Sequence, residues 1–450
     1  MALPKPFAAD EGPFKKCGLP TSAHRRQWIG PECSLGLPVY SRIRIMKERG
    51  LSTKLLVIIG LGSLAFSCSA WAQKAYGPGA NDREIRFGQT MSYSGPNSAF
   101  SVLGKVADGY FRKVNDEGGI NGRKLNFISY DDAYNPAKTV EQTRRLVESD
   151  DVLFTFGSLG TSLQLAVQKY LNAKRVPQLF VLGPSSRWED YEHFPWTIGI
   201  TPSYRREGRV YAQYALREKP GGKIAVLYQN DEFGRDLLAG VKEGLGQTVD
   251  MIVAEESFEI AEPTIDTHIA KLKASGANIL LDITPPKFAA QAIRKLPEIG
   301  WAPLHIMSRA GSSIGTVLRV GGLHNAQGLI SIAWNKDASD PRWADDPEVK
   351  EYLTFLSRYV PSVNPDDGFA PDTYNWSQLL VRVLQQCGDD LSRENVMRQA
   401  TNIKNFIPTM LLPGLSINTG PKDYAPIKRV QLTKFEGERW VPLGDPVEGN

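Results

Sequence analysis

From Glu84 onward, runs rich in β-forming residues alternate with stretches in which apolar residues recur every three to four positions. The alternation begins with a strand at residues 85–89, a helix at 102–117, a strand at 124–131 and a helix at 136–148. Repeated strand–helix units place their strands in parallel, in a sheet that helices cover on both faces. The pattern therefore predicts an α/β fold.

The alternation occurs twice. It runs to about residue 182, is interrupted by a proline-containing stretch at 194–202, and resumes from 204 to 307. After Gly328 one strand, three helices and two late β runs follow, and these could add elements to both lobes. We therefore expect two α/β lobes, because some 380 residues exceed what one core usually serves. The predicted boundaries are 82–199 plus about 333–410 for lobe 1, and 200–332 plus about 411–450 for lobe 2.

Residues 46–72 have the pattern of a secretory signal peptide, with a basic head, an apolar middle and the small residues Ala70 and Ala72 at the end. The apolar run at 55–66 is much shorter than the roughly 20 residues that span a bilayer as a helix. We expect cleavage after Ala72, a periplasmic location, and no direct membrane insertion of the mature protein. Residues 1–45 are predicted to be a non-native or disordered N-terminal extension, with Met46 as the true start.

The charge of the whole chain comes largely from this leader. The chain has 53 Lys and Arg against 49 Asp and Glu, but residues 1–72 hold ten of the basic residues and four of the acids. The remainder carries 43 basic and 45 acidic residues, which removes the support for a nucleic acid partner. Three of the four cysteines also lie in the leader, so Cys387 has no partner for an intrachain disulfide.

Catalytic and cofactor motifs are nearly absent from the sequence. It has no phosphate-binding loop, HExxH motif, dinucleotide fingerprint or paired CxxC. Residues 311–315 fit GxSxG, but the last histidine, His324, follows Gly315 by only nine residues, which leaves no room for a triad in the usual order. We interpret this segment as a helix-capping loop, and the histidines have no metal-ligand spacing. No catalytic residue, metal or cofactor is predicted.

Small and hydroxyl-bearing residues follow three predicted strands of the first lobe, at 90–100 (TMSYSGPNSAF), 157–162 (GSLGTS) and 183–188 (GPSSRW). Open α/β sheets bind ligands at the carboxyl ends of their strands, and helix N-termini offer unpaired N–H groups to anions. N-capping alone would also explain each loop. Three such loops on one sheet edge favour a site for an anionic group.

Matching loops follow the strands of the second lobe. They contain Phe233, Phe288 and Arg309, which we expect to face the first lobe across a cleft.

Several segments together resemble one protein family. They are SYSGPNSAF, VNDEGGINGRKLNFISYDDAYNPAKTVEQTRRLVESDDV, GSLGTSLQLAV, VPQLF, QNDEFGRDLLAGVKEGL and LPGLSINTGPKDY. They are similar to the type I periplasmic solute-binding proteins of the branched-chain amino acid class, which serve ABC importers. The resemblance implies two α/β lobes, each a parallel-sheet sandwich, joined by a multi-strand hinge. It also implies closure on a small-molecule ligand and delivery to ABC transporter permease subunits.

The resemblance also implies site residues. In that family, first-lobe loops hold the ligand carboxylate through hydroxyls and backbone amides, and an aromatic residue stands where Phe233 stands here. The residues expected at the ligand are Tyr93, Ser94, Phe100, Leu159, Gly160, Thr161, Gly183, Ser185, Ser186, Tyr204, Phe233, Thr284, Arg309 and Ala310. Trp188 and Trp334 are further aromatic candidates around the cleft.

One loop departs from the family pattern. Amino acid binders commonly place an acid after the strand that ends at Met307, whereas this sequence has Ser308, Arg309 and Ala310. A buried ammonium without a counter-charge is costly, and arginine suits a carboxylate. We therefore expect a small hydrophobic or aromatic carboxylate as the ligand, with a branched-chain amino acid as second choice. A secreted α/β hydrolase or amidase, and a ligand-sensing clamp for a separate receptor, are the alternatives.

Overall fold

The computed structural model describes residues 74–449. The predicted signal peptide and the N-terminal extension therefore lie outside the described residues. Among residues 74–449, no helix combines the length and the apolar character that crossing a membrane requires.

Five parallel strands form the sheet of the first lobe, in the order β3-β2-β4-β5-β6. Their bounds, after a short strand β1 at Ala75–Tyr76, are β2 Glu84–Met91, β3 Lys124–Asp131, β4 Thr155–Phe156, β5 Gln178–Val181 and β6 Thr197–Gly199. The connecting helices are α1 Ser101–Asp116, α2 Pro136–Glu148 and α3 Thr161–Ala173. Asn135 fixes the start of α2, because its side-chain oxygen accepts hydrogen bonds from the backbone N–H groups of Ala137 and Lys138.

The second lobe repeats this arrangement with α4 Tyr204–Glu218, β7 Ile224–Gln229, α5 Glu232–Leu245, β8 Ile252–Phe258, α6 Asp266–Ala274, β9 Ile279–Ile283, α7 Pro286–Glu298, β10 Leu304–Met307 and β11 Ile330–Ala333. The late strands β13 Arg429–Glu436, β14 Arg439–Pro442 and β15 Val447–Glu448 complete its sheet. The strand order is β8-β7-β9-β10-β11-β13-β14, with β15 paired to β13. The pairing is parallel up to β11 and antiparallel beyond it. The predicted α/β fold with two parallel-sheet lobes is confirmed.

The helices α8 Pro347–Tyr359, α9 Ala370–Cys387 and α10 Arg393–Ala400 return to the first lobe, together with β12 Asp390–Leu391, which pairs with β1. The ring of Tyr110 in α1 lies 5.9 Å from that of Phe355 in α8 and 5.2 Å from that of Tyr374 in α9. Aromatic contacts thus attach both helices to α1. The numerical lobe boundaries stay a prediction.

Within residues 74–449 the chain crosses between the lobes three times, after β6, after β11 and after α10. Two crossings lie side by side, at residues 334–336 and 410–412, and we call this pair the crossing ribbon. The N–H of Leu412 donates to the carbonyl of Trp334, and the N–H of Lys336 donates to the carbonyl of Met410, both at 2.8 Å. The two segments are therefore joined by backbone hydrogen bonds.

The structure differs from the predicted elements where burial or a turn overrides the local pattern. The strand predicted at 152–156 is reduced to β4, although its first three residues are buried apolar side chains. The helix predicted at 233–248 ends at Leu245, because Gly246 adopts a φ of 52° and a 3₁₀ segment follows. Strand β6 lies in the proline-containing stretch that we expected to be a connection.

Glycines permit the close packing of α4 and α5. A Cβ atom on Gly240 would lie 2.4 Å from the carbonyl oxygen of Arg205, and one on Gly208 would lie 2.4 Å from that of Leu237. In each case the obstacle is backbone, which cannot rotate away. The two helices can therefore approach this closely only with glycine at these positions.

We expect Gly240→Ala to lower the free energy of unfolding by about 2 kcal/mol, because the added methyl group forces the helices apart. Urea denaturation measures this change. Gln213→Ala, at an exposed position of α4, is the control and should change stability by about 0.5 kcal/mol or less. A Gly240→Ala protein as stable as the control would contradict the prediction.

Candidate ligand site between the lobes

The strand order of each sheet reverses at one point, and a crevice is expected at each reversal. The order reverses between β2 and β4 in the first sheet and between β7 and β9 in the second. In open α/β sheets, ligands bind beyond the carboxyl ends of the strands at such a reversal. A cavity of about 110 Å³ lies there, lined from the first lobe by Asn97, Phe100 and Thr161, and from the second by Gln229 and Pro285.

Aromatic rings form much of the cavity wall. They belong to Phe100, Tyr134, Tyr204, Phe233, Trp334, Phe369 and Trp376. The ring centroids of Tyr204 and Phe233 are 4.9 Å apart, and so are those of Phe100 and Phe369. Burial raises the pKa of Tyr134 and raises that of Tyr204 well above its usual value, so both phenols stay neutral. Such a wall suits an apolar or aromatic ligand.

The N-terminus of α3 opens at this cavity. Gly160 precedes the helix with a φ of 97°, and a Cβ atom there would lie only 3.1 Å from the ring of Tyr134. Thr161 is the first residue of the helix and lines the cavity. The first turn of a helix presents unpaired N–H groups and the positive end of the dipole. This end of the cavity is therefore suited to an anionic group.

Several buried polar atoms at the cavity lack a hydrogen-bond partner within residues 74–449. They are Asn97 Oδ1, Thr161 Oγ1, Thr201 Oγ1, Gln229 Oε1 and Trp376 Nε1. The hydroxyl of Tyr134 lies near Asn97 and Gln229, and that of Tyr204 lies near Thr161, so a small movement could satisfy these three groups. A buried polar group without a partner costs about 1–3 kcal/mol. The two remaining groups, Thr201 Oγ1 and Trp376 Nε1, mark positions where a ligand in this cavity can supply a hydrogen bond.

Among the described residues that line the cavity, Arg309 is the one with a cationic side chain. Its Nη2 donates to the carbonyl of Gly368 at 2.7 Å and lies 3.3 Å from Asp372 Oδ2. The guanidinium lies over the rings of Trp334 and Phe369, at 5.0 and 5.4 Å from their centroids. The carboxylate that Arg309 contacts here is therefore the protein's own, and its role toward a ligand stays a prediction.

A second buried carboxyl, that of Glu207, lines the same cavity. Its Oε1 accepts hydrogen bonds from the backbone N–H of Arg309 at 2.7 Å and from the hydroxyl of Tyr211 at 2.9 Å. Burial raises the pKa of Glu207 to about 7. Burial also raises the pKa of Asp372, while the charge of Arg309 opposes that rise. The wall thus combines two buried carboxyls with one guanidinium.

The structure brings nine of the fourteen expected site residues to this cavity. They are Phe100, Leu159, Gly160, Thr161, Gly183, Tyr204, Phe233, Arg309 and Ala310. The expected aromatic residue Trp334 also lines it. The other five do not line it, since their polar groups are held by other parts of the protein.

Two of these five lie in the loop after β2. The hydroxyl of Tyr93 is 2.6 Å from Ser129 Oγ, and Ser94 Oγ donates to Asp131 at 2.5 Å. Both side chains therefore bind the neighbouring strand β3 and its end rather than the cavity.

Ser185, Ser186 and Thr284 also bind carboxylates of the protein. Ser186 donates from its backbone N–H at 2.9 Å and from its hydroxyl at 3.0 Å to Asp236 in α5, and Ser185 Oγ lies 3.5 Å from the same carboxylate. Thr284 Oγ1 donates to Asp282 at 2.6 Å. We expected hydroxyls in these loops to bind the ligand. In the structure they donate hydrogen bonds to carboxylates of the second lobe instead.

Two other expectations about the cleft are wrong. The indole of Trp188 is buried beneath the cleft loop and donates to the carbonyl of Gly183. Phe288 packs in the core of the second lobe, 4.6 Å from the ring of Phe258, because its position on α7 faces the sheet.

The GxSxG segment is a cap, as expected. Ser313 Oγ accepts hydrogen bonds from the N–H groups of Thr316 and Gly368, ahead of a π-helical turn at Ile314–Leu318.

The lobes contact each other around the cavity. Besides Ser186 and Asp236, Thr316 Oγ1 in the second lobe donates to Asp367 at 2.6 Å, and Arg319 Nε donates to Asp366 at 2.6 Å. Asp366 and Asp367 precede α9, which packs on the first lobe. We call these three pairs the rim contacts. The rim contacts therefore join the two lobes beside the cavity.

Sequence comparison identifies relatives across most of the chain. A family model described as "Periplasmic binding protein" matches residues 84–438. The "Leu/Ile/Val-binding protein homolog 1" of Brucella abortus (strain 2308) is 24% identical over 327 residues, which cover 72% of this chain and 80% of that protein.

Solved structures show the same fold. A branched chain amino acid ABC transporter protein from Thermus thermophilus with bound valine superposes with a TM-score of 0.74 and 16% identity, covering 82% of this chain and 97% of that one. A fatty acid ABC transporter substrate-binding protein from Thermomonospora curvata gives a TM-score of 0.71 and 18% identity, covering 83% and 95%. On the strength of the family match and the shared fold, this chain belongs to the type I periplasmic binding proteins of the branched-chain amino acid family, which bind solutes and are not enzymes.

Proposed function

We propose that this protein is the extracytoplasmic substrate-binding protein of an ABC importer. It captures a small hydrophobic or aromatic carboxylate between its lobes and delivers it to the permease. The observation that supports this proposal is one cavity that combines aromatic walls with the N-terminus of α3. The walls match an apolar body, and the helix N-terminus matches a carboxylate.

In this proposal the carboxylate lies at the first turn of α3. It accepts hydrogen bonds from the N–H groups of that turn and from the hydroxyl of Thr161, which lines the cavity near the hydroxyl of Tyr204. The apolar body lies between Phe100, Tyr204 and Phe233. Arg309 adds a positive charge nearby, although Asp372 already balances that charge. The helix N-terminus is therefore the principal anion site.

A branched-chain amino acid is the second candidate, and the position of Glu207 favours it. This carboxyl lines the cavity and could accept a hydrogen bond from a ligand ammonium. Burial raises the pKa of Glu207 to about 7, so both its charged and its neutral form are accessible near neutral pH.

Matched ligand pairs that differ in the ammonium group separate the two candidates. We would measure the melting temperature of residues 73–450 with 4-methylpentanoate against leucine, and with 3-phenylpropionate against phenylalanine. A ligand that binds only the folded protein raises the melting temperature. Stabilisation by the acids supports the proposal, and stabilisation by the amino acids alone supports the second candidate. If neither class stabilises the protein, both candidates are wrong.

Removing the hydroxyl at the start of α3 tests the carboxylate position. We expect Thr161→Ala to weaken binding of the best acid about tenfold, because a hydrogen bond to a charged group is lost. Thr161→Ser keeps the hydroxyl and should bind nearly as tightly as the wild type. Isothermal titration calorimetry measures both constants. Unchanged affinity in Thr161→Ala would place the carboxylate elsewhere.

A further inference from the structure

Trp376 carries a hydrogen-bond donor that the protein does not use. It lies in α9, lines the cavity, and is 1% exposed. Its Nε1 has no partner within residues 74–449. An indole N–H can only donate, so no rotation of the group can turn it into an acceptor. A buried donor left unpaired is uncommon in folded proteins and calls for a physical reason.

The other buried tryptophans among the described residues behave differently. The indole of Trp188 donates to the carbonyl of Gly183, that of Trp301 to the carbonyl of Ala277 at 3.1 Å, and that of Trp334 to Asp372 Oδ1 at 2.6 Å. The fold therefore supplies an acceptor to each of these three. Trp334 and Trp376 both line the ligand cavity, and of these two the indole of Trp376 is the unpaired one.

Trp376 and the anion site belong to different helices around the cavity, α9 and α3. Trp376 follows Asp372 by one turn of α9, so the two side chains share a face of that helix. Asp372 contacts Arg309 and Trp334, whereas Thr161 begins α3 and lies near Tyr204. In the proposed function the ligand carboxylate lies at α3, and the indole N–H on α9 is left for a different part of the ligand.

Resting on the proposed function, we propose that Trp376 is a specificity-determining residue whose indole N–H donates a hydrogen bond to a second oxygen of the ligand. The ligand class is then a hydrophobic or aromatic carboxylic acid that also carries a hydroxyl, ether or oxo oxygen. In the open cleft, water satisfies the indole. When the cleft closes on an acid without that oxygen, the donor loses its water and gains nothing. Acids with the oxygen are therefore preferred.

Calorimetry with matched acids measures this preference. The pairs are 3-phenylpropionate with 3-(4-hydroxyphenyl)propionate, and 4-methylpentanoate with 4-methyl-2-oxopentanoate. We expect the wild type to bind the oxygenated member of at least one pair about tenfold more tightly, and Trp376→Phe to bind both members within about twofold. Trp301→Phe, in the core of the second lobe, should keep the wild-type preference. Equal binding by the wild type in both pairs, or an unchanged preference in Trp376→Phe, would overturn the inference.

A spectroscopic measurement on the wild type does not depend on how well the variant binds. In a ¹H–¹⁵N spectrum, the indole resonance of Trp376 is the one that Trp376→Phe lacks. Adding the oxygenated acid should move it downfield, and the matched acid should move it less. If the acids bind while this resonance stays in place, the inference fails and the proposed function stands. If no acid binds, the proposed function itself fails.

Discussion

Replacing Asp372 with alanine is expected to lower the free energy of unfolding by about 3–5 kcal/mol, because it leaves the guanidinium of Arg309, whose side chain is 11% exposed, without its counter-charge. The carboxylate is 7% exposed and lies 3.3 Å from Arg309 Nη2. It also accepts the indole N–H of Trp334 at 2.6 Å and a hydrogen bond from Asn335. The substitution therefore also leaves the indole N–H of Trp334 and the side-chain amide of Asn335 without this acceptor.

A double-variant cycle separates the ion pair from these other losses. Arg309→Met leaves Asp372 without its cation and should also be strongly destabilising. The double variant Arg309→Met/Asp372→Leu should be milder than the sum of the two single changes, because no lone charge remains buried. Urea denaturation measures the change in the free energy of unfolding for the two single variants and for the double variant. Asp345→Ala, which breaks an exposed pair with Lys350, is the control and should cost about 0.5 kcal/mol or less.

Two results would contradict this account of the pair. One is a loss of less than about 1 kcal/mol in Asp372→Ala, which would mean that water or Gly368 compensates for the missing carboxylate. The other is a double variant in which the two losses simply add.

The same variants test the role of Arg309 toward the ligand. The sequence predicts that Arg309→Ala abolishes carboxylate binding. If the double variant retains the affinity for the best acid, then Arg309 serves Asp372 and the helix N-terminus holds the ligand carboxylate. If affinity is lost in the double variant although it folds, Arg309 is a direct ligand contact.

The second large effect concerns pH. The stability of the protein should fall by about 3 kcal/mol as pH rises from 4.5 to above 7 because of Glu207 alone. Burial raises the pKa of this group from 4.5 to about 7 in the folded protein. Between these values the folded state holds a proton that the unfolded state has released. The stabilising contribution is therefore complete below pH 4.5 and is lost as pH rises through 7.

Glu207→Gln isolates this contribution. Glutamine keeps the oxygen that accepts the N–H of Arg309 and the hydroxyl of Tyr211. Burial also raises the pKa of Asp231, Asp372 and other carboxyls, but these groups are the same in both proteins. We would measure the free energy of unfolding of both proteins by urea denaturation between pH 5 and 8. As pH rises, the stability of the variant should increase relative to that of the wild type. A stability difference that does not change with pH would contradict the prediction.

Local signals in the sequence were sufficient for most of the fold. The helix predicted at 136–148 has the same bounds in the structure, because Asn135 caps it and Pro136 suits its first turn. The strands predicted at 124–131 and 304–307 also match. Elements were misjudged where the deciding interaction is not local. Phe288 was expected at the cleft, and only the packing of α7 on the sheet shows that it faces the core.

The site was predicted less completely, because contacts distant in the sequence build it. Asp372 and Trp376 reach the cavity only after the chain has returned to the first lobe, and Glu207 has the local pattern of any acid in the first turn of a helix. The signal available in the sequence was the spacing of Asp372 and Trp376, an acid one helical turn before a tryptophan in an otherwise apolar helix. Conversely, a serine-rich loop does not reveal whether its hydroxyls bind a ligand or, as in Ser186, a carboxylate of the opposite lobe.

The crossing ribbon has a consequence for how long a ligand remains bound. Its two segments are joined by backbone hydrogen bonds, so they can bend together without breaking any of them. Opening then breaks the rim contacts, such as those of Ser186 with Asp236 and of Thr316 with Asp367. It also separates Arg309 of the second lobe from Gly368 and Asp372. The rim contacts lie outside the cavity that recognises the ligand, whereas Arg309 and Asp372 line it. Substitutions at the rim contacts can therefore change the residence time of a ligand while leaving selectivity intact, whereas substitutions at Arg309 or Asp372 change both.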